Sequence, residues 1–260
     1  MLAKLMKYEL KATRRSFLPL FGAVIAIALI NRLFQSFNTS PSYLGLLPSV
    51  FMNSIIWMLF AAIMVVALVI TIQRFNKNLL QNEGYLSFTL PVRIELLIFS
   101  KLFISLFWYI ASVIVLVVSL LLAYSFNITF SGIANAFSTI FNAWFSSGQS
   151  FLIGVELITI SVLGAFSSIL LIYTCLSLGT LVNNHRGLLA FGMYFTISTV
   201  LQFLASFIMA PLMMWVNTLN WSSFATSQFW LLFAIGFSLA LCVAFFVTTR
   251  YILRHKLNLL

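Results

Sequence analysis

The sequence predicts an all-α membrane protein with six transmembrane helices and both termini cytoplasmic. Three observations lead there. The 260 residues are 62% hydrophobic and only 7% charged, whereas soluble domains run at about 45–50% apolar and about 25% charged. Too few charges are present to cover that much apolar surface in water. The apolar residues also fall in runs such as Ile63-Met-Val-Val-Ala-Leu-Val-Ile70, without the alternation of a membrane β-strand. Finally, 13 of the 14 Lys and Arg residues fall on one side of the predicted spans, the asymmetry that sets membrane orientation.

A span needs about 20 apolar residues. Six runs qualify: 17–36, 49–72, 96–124, 152–182, 188–209 and 229–249. The third and fourth are over-long, which implies tilt or extension past the bilayer. Glu95 and Lys101 mark the start of the third as a cytosolic extension. The basic residues then sort into the N-terminal segment, the connection between spans two and three, Arg186, and the C-terminal end. Only Arg32 falls on the outer side. The net charge of +10 is thus membrane topology, not a nucleic-acid footprint. A cleaved leader is the competing reading of residues 1–31. Ala26-Ile27-Ala28 resembles a cleavage site, but it lies inside the apolar run, after a long basic segment.

Residues 1–16 read as a basic amphipathic interfacial helix. Lys4, Lys7, Lys11 and Arg14 share one face, with Leu2, Leu5, Met6 and Ala12 opposite. Such a helix rests among anionic headgroups. Glu9 projects from the apolar side. It is either a snorkelling or locally paired carboxylate, or a contact to a cytosolic partner. Pro19 opens span one, where its missing N–H costs little.

The connection Gln73–Arg93 reads QRFNKNLLQNEGYLSFTLPVR and is the longest charge-bearing internal segment. Phe75, Leu79 and Leu80 make one side of a short amphipathic helix, which Gly84 is placed to end. Tyr85, Leu86, Phe88 and Leu90 come next, and Pro91 stops any continuation. Apolar side chains on a cytosolic loop rest on lipid or fill a pocket on another protein. Both readings stay open on the residues alone.

Residues 125–151 carry no charge, and Ile133, Phe137, Ile140, Phe141 and Trp144 recur at helical spacing. They predict an interfacial helix on the outer leaflet. Residues 210–228 are also uncharged and predict an outer re-entrant segment. Trp215 and Trp221 there suit an aromatic belt. Small residues in span four (Ser161, Gly164, Ser168, Cys175 and Gly179) suit close helix packing. Glu156 is the one acid outside the cytoplasmic regions and Arg32 the one base. An ionisable group at that depth needs a partner or water, so the two are expected to form an outer-side ion pair or to share a wet cavity. Cys175 and Cys242 lie inside apolar runs without metal-site spacing and read as packing residues.

Enzyme signatures are missing. There is no GxxxxGK[ST] phosphate loop, no HExxH, no GxSxG and no Asp. A chain of this composition is expected to carry no catalytic residue, no metal site and no cofactor of its own.

The stretch NKNLLQNEGYLSFTLPVRIELLIFSKL resembles the signature of small bacterial permeases of the type-2 ABC exporter family. MLAKLMKYELKATRR is similar to that family's N-terminal elbow helix, SLGTLVNNHRG to its junction between spans four and five, and RYILRHKLNL to its basic end. The resemblance implies a multi-pass permease of the cell membrane, working as a homo- or heterodimer. A separate ATP-binding cassette subunit would hold ATP and Mg. It also implies that the 73–95 segment is a coupling helix, with Asn78, Leu79, Gln81, Asn82, Glu83, Gly84, Tyr85 and Leu86 at or near the ATPase contact. Residues 210–228 match the family's outer gate in position. The implied substrate is an amphipathic peptide, a drug or a lipid, reached without nucleic acid. Three rival readings are a proton-coupled secondary carrier using Glu156, a membrane scaffold or sensor that transports nothing, and an intramembrane enzyme, which the missing signatures disfavour. No repeated pair of Gly/Pro-broken spans supports the carrier.

Overall fold

The computed structural model describes residues 2–37, 43–80, 94–124, 130–181 and 186–255. Among them all regular structure is helical. The helices are α1 (Leu2–Phe37), α2 (Tyr43–Phe75), a π-helical turn (Asn76–Leu80), α3 (Ile94–Tyr124), α4 (Phe130–Phe145), α5 (Gly148–Gly179), α6 (Arg186–Thr218) and α7 (Ser223–His255). Five stretches are long and apolar enough to cross a membrane: Met6–Leu33, Ile94–Leu122, Gly148–Gly179, Arg186–Thr218 and Ser223–His255. This is the pattern of a membrane-embedded helical protein. The expected span 49–72 lies within α2, whose fully described apolar stretch is Phe60–Phe75.

Two expected boundaries differ. The sequence predicts residues 1–16 and 17–36 as separate elements, but α1 runs from Leu2 to Phe37 without a break, through Pro19. The reason is packing. Met6, Leu10, Phe17 and Phe21 lie along one stripe and join a single apolar cluster that spans the expected boundary. Residues 210–228 are the ends of two long helices joined by a short turn. α6 continues through Pro211 to Thr218. Asn220 then adopts φ 48°, a left-handed conformation that Asn tolerates better than most residues. Ser222 starts α7 by accepting from the Ala225 N–H at 3.3 Å. In the uncharged 125–151 region, the expected helix is α4. Ser147 caps α5 there, its Oγ accepting from the Ser150 N–H at 3.1 Å.

The chain divides into two compact units, Met1–Gln73 with Phe99–Phe141, and Arg74–Ile98 with Asn142–Leu260. In the first, Phe17, Phe21, Val24, Ile63, Ile104 and Trp108 form the core. Phe17 stacks on Trp108 with centroids 4.4 Å apart, and the Trp108 indole donates to Thr13 Oγ1 at 2.7 Å. Burying Trp between an aromatic face and a hydroxyl satisfies both halves of its chemistry.

In the second unit α5 and α7 run parallel along a shared seam. Thr174 and Thr249 hydroxyls meet at 3.0 Å, and Cys242 donates to the Leu163 carbonyl at 3.5 Å. Gly179 lets α6 approach α5. A Cβ there would lie 2.8 Å from the Arg186 carbonyl oxygen and 3.0 Å from Ala190 Cβ.

Candidate functional site: the flanks of the 73–95 segment

Of the residues expected at a docking surface, Asn78 and Leu79 lie in the π-helical turn, and their side chains are outside the described residues. Gln81, Asn82, Glu83, Gly84, Tyr85 and Leu86 lie wholly outside them. What the structure does place are the two stems of this segment.

The first stem is the end of α2. Phe75 is fully buried and stacks on Tyr173 of α5, with centroids 4.1 Å apart and planes 11° from parallel. Beyond it the backbone widens into the π-helical turn Asn76–Leu80, and Leu80 is buried again. A π-turn shifts the register of side chains along a helix. It allows Phe75 and Leu80, five residues apart, to be buried together.

The second stem is the start of α3. Leu97 and Ile98 are buried. Glu95 pairs with Arg250 of α7, Oε1 to Nη2 at 2.7 Å. The sequence places Arg250 only in the basic C-terminal end; the structure gives it this ion pair as well. Since the pair is partly exposed, it holds position more than it stabilises.

Both stems therefore attach to the same body. Tyr173 and Arg250 stand on α5 and α7, and those helices are joined one residue away by Thr174 and Thr249. Both hydroxyls are buried, and Thr174 Oγ1 also donates to the Leu170 carbonyl at 2.8 Å. Such a satisfied buried link is stiff, because breaking it leaves polar groups unpaired in an apolar setting.

Glu9 lies in the first unit. Its Oε1 accepts from Lys101 Nζ at 2.8 Å, with Glu9 only 15% and Lys101 only 7% exposed. A contact from Glu9 to another protein would have to compete with this internal pair. Arg32 is exposed on α1 of the first unit, while Glu156 stands on α5 of the second. Glu156 Oε2 is buried and has no hydrogen-bond partner among the described residues. Pairing of Arg32 with Glu156 stays a proposal. Sequence reasoning missed Tyr173 and Thr174, which sit in an apolar run, and Thr249, which lies between Thr248 and Arg250 at the end of the last span. It also missed Gln228, whose Nε2 is buried without a hydrogen-bond partner among the described residues and which the expected span 229–249 left one residue outside. A signal was available for Gln228: it is a lone amide at the edge of an apolar run.

Among the described residues no group of three or more His, Cys, Asp or Glu side chains is placed to hold a metal ion. Comparison with protein-family models, with curated proteins and with solved structures gives no match to this chain.

Proposed function

We propose that this chain is the permease subunit of an ATP-driven ABC exporter of the cell membrane. Two permease subunits form the path, and a separate ATP-binding cassette subunit supplies the energy. The observation that carries the reading is the 73–95 segment. It is charged, aromatic and flanked by apolar helices, and its stems are fixed to α5 and α7 by Phe75 on Tyr173 and Glu95 on Arg250. A lever must be stiff where it joins the moving body and accessible where it is pushed. The stems meet the first condition. The EGYL-x-F-x-LP stretch between them carries the side chains suited to the second.

In this mechanism, closure of the ATPase subunits displaces the segment, and α5 with α7 moves along as one body. The path opens at the interface between permease subunits. The substrate is an amphipathic peptide, drug or lipid, because the spans offer it an apolar and nearly uncharged route. The N and C termini and the 73–95 segment lie on the cytoplasmic side, a placement supported by the distribution of Lys and Arg.

Purification of the intact chain in mild detergent tests the reading. A phosphate-loop ATPase is expected to co-purify. A chain that purifies alone and moves solutes in response to a pH gradient would favour the carrier reading, which Glu156 supports as a lone acid within a span.

A further inference from the structure

The two sides of α1 in its first half have different surroundings. Met6, Leu10, Phe17 and Phe21 belong to one apolar cluster with Ile104 and Trp108 of α3. On the same side Thr13 accepts from the Trp108 indole and Glu9 from Lys101. A flat interfacial helix would rest its apolar side on lipid; here that side is used on α3. The opposite side carries Lys7, Lys11, Arg14 and Arg15, all exposed.

These four cations crowd one place. Lys11 has Lys7 four residues before it, and Arg14 and Arg15 three and four after it, so all three are its neighbours on the helix surface. Like charges at these spacings repel. Among the described residues none of the four enters an ion pair, because Glu9 is taken by Lys101 and Glu95 by Arg250. The cluster calls for an anion from outside the chain.

The same face continues into the span. Leu18, Gly22, Ile25 and Leu29 follow Arg15 at steps of three, four, three and four, the spacing that keeps residues on one face of a helix. Leu18 and Leu29 are exposed, at 58% and 44%. From one to the other the helix rises about 16 Å, half of a hydrocarbon core of about 30 Å. Since α1 is unbroken, Arg14 and Arg15 adjoin this apolar stretch at headgroup depth. Lys11 and Lys7 stand farther out by about one turn each. An exposed face that is cationic at one end and apolar for one leaflet's depth complements a lipid with a negative head.

We infer that this face of α1 binds an anionic phospholipid of the leaflet at its amino-terminal end. The phosphate accepts from Lys11, Arg14 and Arg15, and an acyl chain lies along Leu18, Gly22 and Ile25. The binding needs neither an ATPase nor transport, so it stands apart from the function proposed above.

The test titrates the purified full chain, in a neutral detergent, with dioctanoyl phosphatidylglycerol, dioctanoyl phosphatidylcholine and glycerol 3-phosphate. Native mass spectrometry reads the bound species. The two lipids share their chains and differ in net charge, and the third probe has the phosphate without chains. Wild type is expected to bind phosphatidylglycerol about tenfold more tightly than phosphatidylcholine. Lys11→Gln should weaken phosphatidylglycerol about fivefold, the scale of one cation at a membrane surface, and leave phosphatidylcholine unchanged. Replacing all four cations by Gln should remove the preference. Should that variant fail to purify as a monodisperse protein, Lys11→Gln decides. Arg254→Gln removes another exposed cation and should leave the preference intact. Equal binding of the two lipids by wild type would overturn the inference, as would a loss in Arg254→Gln as large as that in Lys11→Gln. Glycerol 3-phosphate bound as tightly as phosphatidylglycerol would overturn it in favour of a soluble anion. A four-site variant that keeps the lipid preference but loses a co-purifying protein, or loses self-association, would overturn it in favour of an acidic partner or a second copy.

Discussion

Phe75 and Tyr173 lie face to face, 4.1 Å between ring centroids, at the point where α2 gives way to the π-helical turn. They are nearly fully buried, at 0% and 1% exposure. This stack fastens the first stem of the 73–95 segment to α5. Its counterpart on the second stem, Glu95 with Arg250, is wetter. The apolar joint therefore carries more of the attachment than the ionic one.

Truncating Phe75 or Tyr173 to Ala should cost about 3–5 kcal/mol of stability, the usual range for a buried aromatic. The double variant should lose less than the two singles added together, with a coupling of about 0.5–1.5 kcal/mol. Unfolding of the detergent-solubilised chain in SDS measures both. Additive losses would mean that the rings do not act on each other.

The ion pair Glu95–Arg250 should behave differently. Glu95→Gln or Arg250→Gln is expected to change stability by about 0.2–1 kcal/mol, as for other partly exposed pairs. The effect should shrink as salt rises to about 1 M, where the screening length falls to about 3 Å. A large, salt-independent loss would show that the pair is drier than its exposure implies.

Lys101 with Glu9 is the drier, part-buried counterpart. Lys101→Met removes the ammonium from which Glu9 Oε1 accepts, and breaking this pair by removing one partner is expected to cost more than the exposed pair, up to about 3–5 kcal/mol. Replacing both, as Glu9→Met with Lys101→Met, should recover most of it. The same SDS unfolding curve reads the difference. A double variant as weak as the single would assign Lys101's contribution elsewhere.

Gly179→Ala places a methyl group 2.8 Å from the Arg186 carbonyl oxygen. The collision is with backbone, so α6 must move. Overpacking of this kind costs about 1–3 kcal/mol. Gly164, where a Cβ would meet nothing within 4 Å, is the control: Gly164→Ala should be neutral or slightly stabilising.

The helices were legible in the sequence because a run of about 20 apolar residues admits few other fates. Their ends were less so. Met6 and Leu10 share a stripe with Phe17, so the packing of α1 runs across the expected boundary at residue 16. The turn after α6 depends on Asn220 adopting positive φ, although Pro211 is the more conspicuous breaker; the helix passes through it. Glu9 stood out as an acid on an apolar face, but its ion pair with Lys101 spans 92 residues, beyond any local pattern. The stems of the 73–95 segment were half visible. Phe75 and Glu95 lie inside the segment that drew notice, while Tyr173 and Arg250 became meaningful only through the seam that aligns α5 with α7. Gln228 was hidden by a span boundary set at 229, whereas α7 begins at Ser223.

The central claim is that a separate ATPase takes hold at the 73–95 segment. Co-purification of the intact chain, compared between wild type and a Leu79→Asp plus Tyr85→Asp variant, tests it most directly. An ATPase subunit is predicted to accompany the wild-type chain and to be lost from the variant, while both chains remain monodisperse and equally helical. An ATPase that stays bound to the variant would contradict the claim, and so would a wild-type chain that never brings one down.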